Sequence, residues 1–369
     1  MNNAVFVISE FNPFHFGHKY LIDTLHRTFG TVVCVMSGNA VQRGEVAIAE
    51  KYLRARIAVE NGVDLVVELP FPFCTLSAKD FALSGVSLAA SLGAESLGFG
   101  CEDDGEMLIK AASFLTRQKI TEYISLHPNL SYPKASKAIL EENMPEYSEL
   151  MTKPNNILGV EYLRAISEVS PYITPFFVRR ASEYASSSTL RKAILSGSGA
   201  ILPEKTSLLL ENSAIWETKK LDTTLIASMR LAAGKNPVYG IDEGSFLRIR
   251  DAAMRSTTLE ELYANASSPN LTNARIRRTT LFTLFGIGKE YQKKRPSYAL
   301  VLAANEKGRA YLGENRHYFS IPVLTKPADY LKLSENAKLD FAVSFAADSV
   351  LSLASGREYN PLRMTPYMK

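Results

Sequence analysis

The chain of 369 residues predicts an α/β fold in which a Rossmann-like parallel sheet is followed by a mostly helical domain. Three observations carry this. Short, near-continuous apolar runs alternate with helical patterns in the first half, as parallel strands covered on both faces require. The first run, residues 4–9, gives way to His15-Phe16-Gly17-His18 where a helix begins. Beyond Ser196-Gly197-Ser198-Gly199 the apolar periodicity is helical.

In order, strands are expected at 4–9, 31–36, 63–69 and 95–100, with helices at roughly 16–28, 49–61 and 77–92 between them. After Pro128 the pattern is helical to about residue 168, and Lys153-Pro154-Asn155 opens one helix because proline suits a first turn. A last strand, 173–178, runs through Arg179-Arg180 to a helix starting at Ser186-Ser187-Ser188-Thr189-Leu190-Arg191. The Ser/Gly run at 196–199 marks a boundary between domains 1–198 and 199–369. Helices then follow at 203–210, 221–233, 243–255, 259–264 and 274–285.

Composition excludes some classes and leaves others open. An apolar content of 46% suffices for a substantial core. Lys and Arg number 42 against 38 for Asp and Glu, a net +4 that permits RNA binding without requiring it. Cys34, Cys74 and Cys101 are odd in number, widely spaced and form no C-x-x-C pair, so neither a disulfide framework nor a zinc site is indicated. No run of about 18 apolar residues and no basic amino-terminal leader occur, which predicts a soluble cytoplasmic protein without membrane contact.

The chemistry is concentrated where strands end. His15 and His18 lie three apart on a first helical turn, and Gly17 leaves no Cβ where a nucleotide would approach the backbone. Both imidazoles can donate hydrogen bonds to phosphoryl oxygens from an open cleft, stabilising charge on an α-phosphorus and a leaving pyrophosphate; neither needs to be a base. Gly100, at the end of the fourth strand, opens at the same mouth or is a simple turn glycine. The amide of Asn155 can read a nucleotide edge or cap a helix. Serines at 186–188 offer hydroxyls and free amides, and Arg191 one turn on adds a fork of donors suited to a triphosphate. In the loop 37–45, Arg43 is a candidate for a substrate carboxylate or an RNA phosphate, or else a surface ion-pair partner, and Lys51 and Arg54 share that ambiguity. Residues 271–295 carry Arg275, Arg277, Arg278, Lys289, Lys293, Lys294 and Arg295 against the single acid Glu290, an asymmetry that fits an RNA phosphate footprint or a solvated helix face. The three arginines of 275–278 cannot all share one helix face, so at least one is expected to be structural.

The run Ser9-Glu10-Phe11-Asn12-Pro13-Phe14-His15-Phe16-Gly17-His18 resembles the signature of the HIGH-type nucleotidyltransferases, and specifically of the bacterial tRNA(Met) cytidine acetate ligases. Met36-Ser37-Gly38-Asn39 with Gln42-Arg43-Gly44-Glu45, Gly62-Val63-Asp64-Leu65-Val66-Val67-Glu68-Leu69-Pro70, Gly98-Phe99-Gly100 and Lys153-Pro154-Asn155-Asn156-Ile157-Leu158-Gly159 agree in order and spacing. The likeness is strong from residue 4 to about 196 and weaker beyond. It implies an enzyme that uses ATP to activate acetate as acetyl-adenylate, releasing pyrophosphate, and passes the acetyl group to N4 of the wobble cytidine of elongator tRNA(Met), releasing AMP. His15 and His18 then become catalytic. ATP contacts are implied for Val7, Ile8, Ser9, Glu10, Phe11, Asn12, Pro13, Phe14, His15, Phe16, Gly17, His18, Lys19 and Tyr20, and for Gly100, Asn155 in preference to Asn156, Arg180 in preference to Arg179, Ser186 and Arg191. Contacts to tRNA are implied for Arg275, Arg277 and Arg278. No protein-held metal is implied, and Mg2+ is compatible with ATP as co-substrate. The chain departs from the family pattern at 181–185, which is short and lacks a tyrosine-histidine-aspartate cluster, at Ser268-Pro269-Asn270-Leu271, which replaces a basic aromatic approach, and at 296–302, which matches in part. An enzyme adenylylating a small metabolite would share the first half; the basic helical second half favours the RNA substrate.

Overall fold

The computed structural model describes residues 3–127, 130–180, 183–232 and 238–369. Its sheet contains β1 (Ala4–Ser9), β2 (Thr31–Ser37), β3 (Leu65–Leu69), β4 (Ser96–Cys101), β5 (Thr174–Arg179), β6 (Ala299–Ala304), β7 (Val323–Leu324) and β8 (Tyr367–Met368). The order is β5-β4-β1-β2-β3-β6-β7, with β8 pairing β6. The first five strands are mutually parallel. Alternate side chains point to opposite faces. Phe6, Val33, Val35 and Val67 therefore share one core with α3 (Ala78–Ser91) and α7 (Pro154–Val169), while Val5, Val7, Cys34 and Met36 share the other with α1 (Phe16–His26) and α2 (Lys51–Glu60). Cys34, Cys74 and Cys101 are all buried and unpaired.

Winding reverses at β1, because β2 and β3 lie to one side and β4 and β5 to the other. The crevice beyond the carboxyl ends of β1 and β4 is thus the topological switch point, where ligands enter open α/β sheets. Residues 10–15 and Gly100 open there.

The second half does not stand apart from the first. After α8 (Ser187–Ser196), which Gly197 ends in the left-handed conformation, come α9 (Glu204–Glu211), α10 (Asp222–Arg230), α11 (Glu243–Ala253), α12 (Leu259–Ala266) and α13 (Asn273–Phe285). The helical character expected beyond 199 is present, but β6 then runs antiparallel to β3, pairing Leu65 with Ala304 and Val67 with Val301. All six β6 residues are buried. Phe71 packs on Phe285 and Phe282 at 5.1 and 6.3 Å, joining the α13 core to that of the sheet. The Ser/Gly run at 196–199 is therefore a surface turn, and the division at 198/199 does not separate two packed bodies. The physical reason is that the continuous apolar segment 299–304 buries most surface by extending an existing sheet.

Helices α4 (Gly105–Phe114), α5 (Arg117–Leu126), α14 (Glu306–Asn315) and α15 (Glu335–Leu351) add to those expected, and α6 (Tyr132–Asn143) precedes α7 as the pattern after 128 requires. Residue 233, expected to end a helix, and residues 181 and 182 of the shortened segment lie outside the described residues.

Candidate active site

His15 is the N-cap of α1, and its ring does the capping: Nδ1 accepts from Gly17 N at 3.1 Å. The backbone N–H of His15 in turn donates to His18 Nδ1 at 3.3 Å, closing a reciprocal cap. The rings stack at 3.8 Å between centroids, and His18 rests edge-on against Phe11. With both Nδ1 atoms accepting, the neutral rings carry their protons on Nε2. His15 Nε2 donates to Ser187 Oγ at 2.9 Å, at the first turn of α8. Two neutral N–H donors thus face away from the α1 cap. A Cβ at position 17 would stand 3.0 Å from His15 Cε1, so glycine there makes room for the capping ring.

His15 is buried, 4% exposed, and does not point into an open cleft as the sequence suggested; closing the cap and reaching Ser187 draw it inward. Burial, aided by the Arg180 charge, lowers its imidazole to about 4. Burial, then His15 and Arg180, holds His18 well below the usual histidine range. An unfolded histidine titrates near 6.5. Between that value and about 4 the unfolded chain binds protons that the folded chain refuses, so stability should fall as pH drops through this window. His15→Asn keeps a capping side chain and should flatten that decline in urea denaturation at stepped pH. An unchanged slope would remove His15 from it.

Elements from both sides of the switch point converge on these rings. Arg180 follows β5, its N–H donates to Cys101 O at 2.9 Å, and its stem passes within 3.3 Å of where a Gly100 Cβ would stand. Gly100 thus makes way for Arg180. The adjacent Arg179 is exposed and bears on Asp103 instead, so it is Arg180 that faces the histidines. Ser186 is spent as the α8 N-cap, accepting from Thr189 N at 3.2 Å, and Ser187 rather than Ser186 touches His15. Arg191 Nη1 donates to Asn12 O at 2.8 Å. Phe11 holds φ at +44° and the Asn12–Pro13 bond is cis. Asn12 Oδ1 accepts from Ile48 N at 2.8 Å and Asn12 O from Arg191, so contacts from two sides anchor the loop. Glu10 accepts from Gln42 N at 2.8 Å, and burial raises its pKa. Lys19 pairs with Asp23 at 2.8 Å on the outer face of α1, away from this cluster, while Tyr20 and Phe16 flank Tyr184.

At the α7 start the two asparagines separate. Asn156 is fully buried, and its Oδ1 accepts from Glu102 N at 2.9 Å, fixing the turn after β4. Asn155 is half-buried and donates through Nδ2 to Glu102 Oε1 at 2.5 Å. Of the two, Asn155 is the more exposed.

The loop after β2 is clasped by α13. Gly44 takes φ +75°, and a Cβ there would stand 2.8 Å from Arg278 N. Arg277 Nε donates to Arg43 O at 3.0 Å and Arg278 Nη1 to Gln42 O at 3.4 Å, while Arg275 pairs with Asp242 at 3.3 Å. All three arginines are half-buried; Arg277 and Arg278 turn donors to the loop and Arg275 turns one to the exposed Asp242, while Arg43, Lys289 and Lys293 are exposed. Lys51 and Arg54 are buried rather than surface partners. Lys51 Nζ lies 2.7 Å from Glu68 and 2.5 Å from Asp348 of α15, and Arg54 donates to the carbonyls of Ala49, Ser37, Gly38 and Glu10. Among the described residues no cluster of three His, Cys, Asp or Glu suits a metal, and no helix is long and apolar enough to cross a membrane.

The family model described as HIGH Nucleotidyl Transferase matches residues 2–362. Similar proteins include the tRNA(Met) cytidine acetate ligase of Thermoanaerobacter sp. (strain X514), 33% identical over 93% of each chain. That of Halothermothrix orenii is 32% identical over 94% of this chain and 92% of its own. The crystal structure of Thermotoga maritima TmcAL bound with alpha-thio ATP superposes with a TM-score of 0.90 at 26% identity, covering 99% of both chains.

Proposed function

Because the chain belongs to the tRNA(Met) cytidine acetate ligases among the HIGH nucleotidyl transferases, we propose that it activates acetate with ATP and acetylates N4 of the wobble cytidine of elongator tRNA(Met). The observation that carries this reading is the pair of neutral Nε2–H donors of His15 and His18, set beside the α8 N-terminus and Arg180 at the switch point. N–H donors and arginine forks gathered in this way suit a reaction whose difficulty is negative charge on phosphorus and its leaving group.

In the first step an acetate oxygen attacks the α-phosphorus, the α–β bridging bond breaks, and pyrophosphate leaves with the electron pair. His15 and His18 supply N–H groups to oxygens that gain charge, and Arg180 and Arg191 supply cationic forks. In the second step the cytidine exocyclic amine attacks the acetyl carbon, AMP departs, and the amine proton passes to solvent. The half-buried amide of Asn155 suits a nucleotide edge. Helices α10 to α13 suit an RNA-facing layer, with exposed Arg43 beside α13 and Arg277 reachable where its ion pair opens. Mg2+, when present with ATP, would add charge neutralisation to that of the arginines.

Incubating the protein with ATP, labelled acetate and tRNA, then analysing nucleosides by mass spectrometry, should show one acetyl group on a cytidine. Unmodified tRNA together with a stably adenylylated small metabolite would overturn the reading.

A further inference from the structure

Glu45 stands between two arginines from different halves of the chain. One carboxylate oxygen lies 3.4 Å from Arg191 Nη2 and the other 3.2 Å from Arg277 Nη2. Arg191 is also seated on the histidine loop through Asn12 O, whereas Arg277 belongs to α13 and lies over the Tyr263 ring. Of the other titratable groups that feel this carboxylate, Glu10 is held by Gln42 N and Tyr263 lies under Arg277. We propose that Glu45 and Arg277 are positioning residues for the triphosphate, acting through Arg191.

Charge is shared across Arg191, Glu45 and Arg277. Glu45 competes with an incoming triphosphate for Arg191, and it also adds a negative charge beside the phosphates. Arg277 offsets part of that charge and loosens the hold on Arg191. Neutralising Arg277 leaves Glu45 paired to Arg191 alone, which strengthens the competitor and weakens triphosphate binding. An RNA phosphate that takes Arg277 has the same consequence, and by linkage the triphosphate then weakens RNA binding to the same degree. RNA docking and triphosphate binding thereby oppose each other, an order suited to a ligase whose pyrophosphate must leave before the acetyl group is passed on. The inference rests on the ATP reading above.

The test is the affinity of the full chain for an ATP analogue with a methylene α–β bridge, measured by calorimetry without RNA. Glu45→Gln should bind more tightly than wild type. Arg277→Gln should bind at least about fivefold more weakly, and Arg277→Lys should stay near wild type. The double variant Glu45→Gln/Arg277→Gln should match Glu45→Gln alone. A persisting Arg277→Gln loss in the Glu45→Gln background would mean that Arg277 only braces the loop, and weaker binding by Glu45→Gln would contradict the competition; either result overturns the proposal. A wild-type chain that binds no analogue would instead overturn the ATP reading and take this inference with it.

Discussion

His18→Ala is expected to slow adenylate formation about a hundredfold or more while leaving the fold close to wild type. The loss follows from removing one preorganised donor to charge that develops on phosphate, worth about 2.7–4 kcal/mol of transition-state stabilisation. Because the ring is neutral, with His15 N donating to Nδ1, the effect should appear at neutral pH without any change in protonation state. His15→Ala should lose a comparable factor in rate and, in addition, about 1 kcal/mol of stability, since its ring caps α1. His15→Asn separates the roles by restoring stability without restoring rate. Pyrophosphate release measured in single turnover would decide: wild-type rates in both alanine variants would exclude the histidines from the chemistry.

Lys51→Met, at the start of α2, is expected to be strongly destabilising. It leaves the carboxylates of Glu68 and Asp348 buried without their common cation, the situation that costs about 3–5 kcal/mol. Burial already raises the Glu68 pKa even with Lys51 beside it. Without Lys51 the carboxyl should rise further above its unfolded value, so the deficit should be largest at neutral pH and shrink as pH falls into the carboxyl range. The damage should spread, because Asp348 also accepts from Asn39 at 2.8 Å and so ties α15 to the loop after β2. Urea denaturation at pH 7 and pH 5 tests this, and a loss below about 1 kcal/mol at neutral pH would contradict the buried-pair account.

The histidine motif was legible because its interactions are local: Nδ1 of His15 caps a residue two positions on, and its partner is three positions on. The first five strands were legible for a similar reason, since buried parallel strands are apolar throughout. The third begins at Leu65 rather than 63 because Gly62, at φ +113°, and Val63 complete the turn out of α2. Non-local features were not legible. Lys51 reads as a surface cation at a helix start, and only the contact with Asp348, 297 residues away, makes it a core residue. Charge alone does not tell which arginines of α13 hold the loop after β2, and Arg277 and Arg278 do so only once that loop is folded against them. Ser187 and Ser186 are indistinguishable in sequence, and the cap geometry of α8 selects between them.

The central claim is that acetate itself attacks the α-phosphorus. Acetate labelled with 18O in both carboxyl oxygens, turned over with ATP and tRNA, should yield AMP carrying one label and tRNA whose new acetyl group retains the other. AMP without label, or ADP and phosphate in place of AMP and pyrophosphate, would contradict it.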